Sequence, residues 1–599
     1  MKKQIVIFIL SVFFVGISLV SCKEDLLDLE QHGVIDADKT YTEADDAAAQ
    51  QLIAQVYTQV KYLTTGDWGI NYFLTLTVKT GETWPGGSDP NDGSQYQQIA
   101  AMKDDAENSV YSDVYSRLYK IMYQCNLIVE KLNSESTERE RVIGEAKAWR
   151  AWAMMRLTQL WGSAPLVSHT LNGTDYPFDP ANTDPAESWV WIMQQFDEAA
   201  EVLPSKSGLG GQRAIGGRWT KEACYAFKGE GYMWQNDYEN AKIWLGKVIS
   251  SGKYQLWTKT TTLGDYGTNL SDLRDKNKST WIDGGKDYEY LTLFRAEADF
   301  CDEYILELDV DGDGTTVADV EPLWFWMYVG WRQDQLYMTA NNTVGDGWGF
   351  VNPTRNFGLA FAKHDGNSIR RRMSIATFDE VYYDFPYISN QNRGVMDGKK
   401  LYDNQGYFRM KYFNHLDDQN PDRYAAGNSN GNTTNFPLMR YSNILLLYAE
   451  AVCESGSEGQ AGITGLDALN LVRTRAGLEP APALDMNNET YGIKEERRFE
   501  LYLEDCDRYV DLVRWGDYKE QILDTSEKGA GDYWGENCAW LSGFVDSSKR
   551  TTDPTDLSNY DVSYDHLQNK AGWSDKYALF PFPYAEMNSN KNLVQNPGW

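Results

Sequence analysis

Apolar residues recur at three- and four-residue spacing over segment after segment of this chain, a periodicity that suits helices with one buried face. It runs through 45–62, 111–132, 140–161 and 187–203, with Ala146, Trp149, Ala153 and Leu160 as a clear instance. These four helices make two pairs. In a third pair Ala223, Ala226, Gly229, Tyr232 and Met233 line one helix, Asn236-Asp237-Tyr238 turns the chain, and Ala241, Trp244 and Val248 line the next. A fourth pair falls at 443–451 and 465–475, and 491–515 adds one more long helix. The pairs are not tandem: 172–219 separates the second from the third, and 254–437 separates the third from the fourth. That second insertion is rich in Gly, Asp and aromatic residues with short β-like runs, so the chain reads as a mostly α scaffold carrying long irregular working segments.

The third pair resembles a tetratricopeptide unit, with small residues where two helices cross closely and large ones between. The charged helix Glu495 to Arg514 alternates Glu and Arg and reads as structural ion pairs rather than as chemistry.

The N-terminus reads as an export signal. Lys2 and Lys3 precede an uncharged apolar stretch from Ile5 to Val20, too short for a spanning helix, which ends at Leu19-Val20-Ser21-Cys22. Small residues before a cysteine suit a lipoprotein signal peptidase, so residues 1–21 form a leader and Cys22 the lipidated N-terminus of the mature protein. Several acyl chains, at roughly 0.8 kcal/mol per buried methylene, make a durable anchor. Lys23-Glu24-Asp25, followed by Asp28 and Glu30, resembles the acidic surface-export signal of Bacteroidota lipoproteins, which implies the outer face of the outer membrane.

Charge and aromatic content bear on the partner. The formal net charge is −31, and loss of the two leader lysines makes the remainder more acidic, so phosphate backbones are repelled and no nucleic-acid partner is expected. There are 21 Trp, 38 Tyr and 22 Phe, many of them in Gly/Asn/Asp-rich loops. A ring held out on a polar loop suits a sugar, whose C–H face lies on the π-system while its hydroxyls bond nearby polar side chains. Apart from Cys22, the six cysteines (Cys125, Cys224, Cys301, Cys453, Cys506 and Cys538) show no C-x-x-C spacing and read as buried free thiols. Asp309, Asp311 and Asp313 with Gly312 and Gly314 open like an EF-hand loop, but position twelve is Val320 and the acid comes late at Glu321. A structural Ca²⁺ closed by Asp319 or Glu321 is weighed here against an acidic turn, and no other cofactor is called for.

Several ordered stretches then resemble the SusD/RagB family of surface glycan-binding lipoproteins. They are Gly144-Glu145-Ala146-Lys147-Ala148-Trp149-Arg150-Ala151 with Leu160-Trp161-Gly162-Ser163-Ala164-Pro165-Leu166, Asp237-Tyr238 to Ser251-Gly252-Lys253-Tyr254, and Leu438-Met439-Arg440-Tyr441 to Val472-Arg473-Thr474-Arg475-Ala476-Gly477-Leu478. Glu495-Glu496-Arg497-Arg498-Phe499-Glu500-Leu501 with Asp511-Leu512-Val513-Arg514-Trp515-Gly516, and the ending Phe580-Pro581-Phe582-Pro583 to Asn596-Pro597-Gly598-Trp599, complete the series. The resemblance implies a SusD-like fold with four tetratricopeptide-like helix pairs and a tether over 22–44. One domain would cover 45–599, with scaffold at 45–253 and 438–515, a ligand-facing insertion at 254–437 and a C-terminal segment at 516–599. It further implies a non-catalytic protein that captures oligo- or polysaccharide and delivers it to a SusC-like TonB-dependent transporter. Capture of peptides or another nutrient is the alternative, since a scaffold does not dictate its cargo, and a glycoside hydrolase ranks lower.

In such proteins the ligand-stacking rings come from the loop within the first helix pair and from the insertion after the third. The first loop here offers Trp68, Trp84 and Tyr96, with Asp89 and Asn91 as hydroxyl partners, and Trp84 in Gly-Glu-Thr-Trp-Pro-Gly-Gly leads the set. The insertion offers Trp281, Tyr288, Tyr290, Trp324, Trp326, Trp331 and Trp348. Alternation over 323–328 predicts a strand, so at most half of its rings can meet a ligand.

Overall fold

A computed structural model describes residues 37–66, 70–89, 91–211, 215–258, 293–310, 324–332, 347–377, 379–380, 400–402, 404–412, 432–505, 507–523, 538–542, 551–558, 561–566 and 573–599. The leader, Cys22 and the segment that follows it lie outside these residues.

Helix α1 (Ala37–Thr42) leads into α2 (Asp46–Thr64), α3 (Asn71–Lys79), strand β1 (Thr83–Gly86), α4 (Ser94–Ala100), α5 (Ser109–Lys131) and α6 (Thr137–Trp161). The scaffold continues through α7 (Pro185–Val202), α8 (Lys221–Trp234) and α9 (Tyr238–Ser250). Most of its long helices start on a side chain that accepts an otherwise orphan amide. Asp45 accepts from the amide of Ala48 at 2.8 Å, Ser136 from Arg139 at 3.2 Å, and Asp184, just before Pro185, from Ala186 at 2.9 Å. Thr220 and Asp237 do the same for α8 and α9. Along the row α5 packs on α2 and α6, α6 on α7, α7 on α8, and α8 on α9. Close crossing depends on a missing side chain at one place. A Cβ on Gly229 would sit 2.6 Å from Leu245, so a larger residue there would press on the facing helix, whereas one on Gly231 would sit 2.5 Å from the end of the Met193 side chain, which can move aside.

The insertion contributes β2 (Tyr304–Leu308), α10 (Phe325–Val329), β3 (Phe350–Pro353), α11 (Arg355–Asp365), α12 (Ile369–Ser374), β4 (Ile375–Thr377), β5 (Lys400–Tyr402), β6 (Tyr407–Arg409) and β7 (Phe436–Arg440). β1 pairs with β3, β2 with β7 and β4 with β6, all antiparallel. The scaffold resumes with α13 (Tyr441–Ser455), packed on α9, and α14 (Gly465–Arg475), whose Thr464–Asp467 capping box fixes its start. Then come α15 (Ile493–Glu500), α16 (Asp507–Trp515) and α17 (Tyr518–Leu523), strands β8 (Cys538–Ser542) and β9 (Asp561–His566), which join β5, and α18 (Tyr584–Ser589).

Two expectations are corrected. The expected strand over 323–328 is not formed by its described part: Trp324 caps a short helix, Phe325–Val329, in which Phe325, Trp326, Met327 and Val329 are buried. The run is apolar nearly throughout, so its period could not separate strand from buried helix. Residues 491–515 do not form one helix either. The chain breaks between α15 and α16, where Leu503 and Asp505 take positive φ of 62° and 29°. This turn carries Glu504 to Lys411, 2.7 Å away, and Asp505 to Arg156, also 2.7 Å away.

Around that break lies a web of fully buried charge. Glu496 bridges Arg370 and Arg473, the latter at 2.8 Å, and Arg370 also meets Asp365 at 2.9 Å. Glu500 is paired with Arg475 and, at 3.2 Å, with Arg440, while Arg440 and Arg475 both hold Glu303. Arg497 takes Asp511 at 2.7 Å, and Arg498 reaches Glu82 at 2.7 Å. Asp365, Arg370 and Glu303 belong to the insertion, so the ion pairs fasten it to Arg440 at the end of β7 and to α14 and α15. The Glu/Arg stretch is thus structural, as its sequence suggests. Burial alone would raise the carboxyls of Asp365 and Glu500, yet Arg370 beside the first, and Arg475, Arg440 and Arg370 around the second, hold both far below the ordinary carboxylate range. Because these pKa values are depressed in the fold, their stabilisation is present above about pH 4 and is lost as pH falls below it. Glu496→Ala leaves two guanidinium groups buried without their shared partner and is expected to cost roughly 3–5 kcal/mol. Urea unfolding at pH 7 and pH 3 checks both statements: a wild type as stable at pH 3 as at pH 7, or a variant that loses under 1 kcal/mol, would contradict them.

Candidate functional site

Among the insertion's described tryptophans, two keep part of their rings at the surface and lie together. Trp324 stands at the start of α10, with the next amide donating to the carbonyl of Thr65 at 3.0 Å. Trp348 is held by its own amide, which donates to Met327 O at 2.6 Å, while the amide of Gly349 donates to Gly330 O at 2.9 Å. The two indoles stack with centroids 5.2 Å apart and planes at 30°. One helical turn beyond Trp324, Tyr328 meets Trp348 edge-on at 4.8 Å and lies 5.0 Å from Phe350. Trp324, Trp348 and Tyr328 are half-buried, whereas Phe350 beneath them is buried. They form an aromatic ledge on a packed base.

A polar loop runs alongside. β1 ends at Gly86, where φ is +82° and a Cβ would lie 2.2 Å from Gly349 O, so only glycine lets the two backbones touch. Gly87 then donates to Gly349 O at 3.1 Å. The carboxylate of Asp92 accepts from the amide and hydroxyl of Ser88 at 2.9 and 3.0 Å, and that of Asp89 accepts from the amide of Asn91 at 2.8 Å. Asp89 is half-buried and Asn91 exposed. Burial raises the pKa of the Tyr328 phenol, and the nearby Asp92 carboxylate raises it further. The phenol therefore stays protonated and able to donate.

The other expected residues divide into two groups. Trp84 is fully buried in β1 opposite Asn352, Tyr96 is buried with its hydroxyl 2.5 Å from Asn71 Oδ1, and Trp331 is buried with Nε1 donating to Arg409 O at 2.8 Å. Trp326 is buried as well. These four rings pack the base, and the expectation that Trp84, Tyr96 and Trp331 stack on a sugar is corrected: strand pairing and core contacts cover their faces. Trp68, Trp281, Tyr288 and Tyr290 lie outside the described residues, as do Asp311, Asp313 and Glu321 of the calcium candidate. Asp309 is half-buried, and among the described residues no group of three or more His, Cys, Asp or Glu could hold a metal. Tyr328 and Asp92 were not singled out by sequence, although the four-residue spacing of Trp324 and Tyr328 would bring them together on a helix.

Cys125, Cys224 and Cys301 are buried free thiols, and Cys453 is a half-buried one. Among the described helices none is long and apolar enough to cross a membrane. Burial pushes Glu307 up to about 8, with the Phe300 amide and the Asn435 side chain, at 3.0 and 2.9 Å, opposing the shift. It is fully enclosed, so it is no general acid for an outside substrate. A raised carboxyl adds stability that is complete below the ordinary pKa of about 4.3 and lost as pH rises through about 8. Glu307→Gln is therefore expected to raise the melting temperature at pH 9 and to leave it nearly unchanged at pH 4. Equal shifts at both pH values would rule this out.

A family model described as the SusD family matches residues 302–599, and one described as starch-binding, associating with outer membrane, matches residues 33–232. SusD-like protein P2 of Formosa agariphila is 23% identical over 618 aligned positions, covering 100% of both chains. SusD-like protein P38 of the same organism is 24% identical over 67% of this chain and 71% of its own length. In fold, the chain is similar to a laminarin binding SusD-like protein, with a TM-score of 0.63, 20% identity, and coverage of 92% of this chain and 99% of that one. It is also similar to surface glycan-binding protein A from Bacteroides thetaiotaomicron in complex with laminarihexaose, with a TM-score of 0.64, 19% identity and the same coverage.

Proposed function

The chain belongs to the SusD/RagB family, and from that membership we propose that it is a cell-surface lipoprotein that captures glycans on the Trp324–Trp348–Tyr328 ledge and passes them to a SusC-like TonB-dependent transporter. The observation that carries the reading is the ledge itself: large rings left partly in water on a scaffold that buries most of its other described tryptophans. Two stacked indoles offer an outer face to one sugar ring at a time. The Ser88–Asp92 loop supplies carboxylate and amide oxygens and the Tyr328 hydroxyl supplies a donor, which suits the mixed demand of sugar hydroxyls. Glycan-binding relatives of the same fold support the ligand class. In this reading the protein is not an enzyme; it holds cargo weakly enough to release it. It sits on the outer membrane through acyl chains on Cys22.

One stacked ring contributes roughly 0.5–1.5 kcal/mol beyond area burial, so Trp348→Ala is expected to weaken binding about two- to tenfold with a small change in melting temperature. Trp84→Ala removes a core ring instead and is expected to destabilise by about 3–5 kcal/mol. Affinity gels over a polysaccharide panel, read together with thermal melts, separate the two. A Trp348→Ala protein retained like wild type by every polysaccharide that wild type binds would sink the ledge as the site. For the anchor, Cys22→Ala is expected to abolish surface labelling of cells, and unchanged labelling would rule lipidation out.

A further inference from the structure

A second opening lies away from the ledge, bounded by residues 486–487 and by α15, α16 and α17. It is a groove of about 790 Å³ whose walls include Asn487, Lys494, Arg508, Trp515, Lys519 and Gln521. Pockets of 300–1,000 Å³ commonly take small molecules or a few units of a polymer. Most of the charge on its walls is paired, with Lys519 and Glu520, one of each sign, exposed at its edge. Lys494 meets Asp517 at 2.6 Å, Arg508 meets Glu82 at 3.0 Å and also donates to Gln521 at 3.2 Å, and Arg498 meets Glu82 at 2.7 Å. A phosphate or sulfate would have to displace carboxylates from these cations, and an apolar ligand would strip water from them without replacing it. A neutral ligand rich in hydroxyls meets neither cost. It can accept from the ammonium and guanidinium groups, donate to the carboxylates, and lay a C–H face near the half-buried indole of Trp515. That indole is fixed by its Nε1, which donates to Glu450 at 2.7 Å, and the Lys494 ammonium lies 5.3 Å from its centroid.

The groove is also connected to the ledge. Glu82, which holds Arg498 and Arg508 at the groove, is the residue before β1, and Gly86 at the other end of β1 touches the backbone beneath Trp348. Four residues of extended chain span roughly 13 Å. We propose that this groove is a second glycan contact, so that a polysaccharide engages the protein at two places while a short oligosaccharide uses one. The proposal rests on the glycan reading of the ledge. Two weak contacts on one scaffold make the second an intramolecular event, which raises retention of long chains without tight binding at either place.

The test compares wild type, Trp348→Ala and the groove variants Asn487→Ala/Lys519→Ala and Asn487→Trp, which alter exposed side chains and are expected to fold normally. The probes are a polysaccharide retained by wild type in affinity gels and its hexasaccharide in calorimetry. The expected result is at least a fivefold loss of polysaccharide retention in the groove variants with hexasaccharide binding unchanged, and loss of both in Trp348→Ala. Groove variants that retain polysaccharide like wild type overturn the proposal, including the case in which they instead lose co-purification with an outer-membrane transporter and the groove is a protein interface. Loss in the groove variants with Trp348→Ala behaving as wild type would overturn the ledge and with it engagement at two places, leaving the groove as a single glycan site.

Discussion

The buried guanidinium–carboxylate web between α11, α12, the end of β7, α14 and α15 is the constraint on which the rest of the structure hangs. The side chains of Arg370, Arg440, Arg473, Arg475, Glu303, Glu496 and Glu500 are each almost wholly removed from water. Desolvating such groups is tolerable only if every charge keeps its partners and geometry, so the elements that carry them have little freedom to shift. The web draws its members from 303, 365–370, 440, 473–475 and 496–504, positions far apart in sequence. A segment of insertion that lost its register would strand several charges at once. Hydrophobic packing alone would permit sliding; this arrangement does not.

That anchoring explains how a long irregular insertion can serve as a working surface. Its base is tied by ion pairs and by short antiparallel pairings such as β1 with β3 and β2 with β7. Its outer parts then need only local contacts, and the ledge is made of these: main-chain bonds from Trp348 and Gly349 to α10 and the residue after it, and a glycine contact with the loop after β1. Preorganised rings lose little freedom when a ligand arrives, which lets weak stacking suffice.

Much of the scaffold was legible because helix periodicity is a local signal. The periodic runs 45–62, 111–132, 140–161 and 187–203 fall within a few residues of α2, α5, α6 and α7. The break at Leu501–Asp505 was hidden, since nothing nearby forbids a helix; it exists because Glu504 and Asp505 are pulled to Lys411 and Arg156 from other parts of the chain. The site was half legible for the same reason. Trp84 and Trp348 stand in similar Gly-rich contexts, yet pairing of Trp84 opposite Asn352, across more than two hundred residues, sends one ring inward and leaves the other at the surface. Residue type announced an aromatic platform, and long-range pairing chose its members.

Indoles 5.2 Å apart and inclined at 30° lie close enough for their excited states to mix. Such a pair is expected to add a split signal in the strong far-ultraviolet indole band, beside that of the buried Trp149–Trp152 and Trp149–Trp219 pairs, which a ligand at the surface leaves unchanged. A sugar settling on the outer ring would change its surroundings and small tilts of the pair, so the platform carries a built-in optical gauge of its own occupancy, readable in solution without any attached dye.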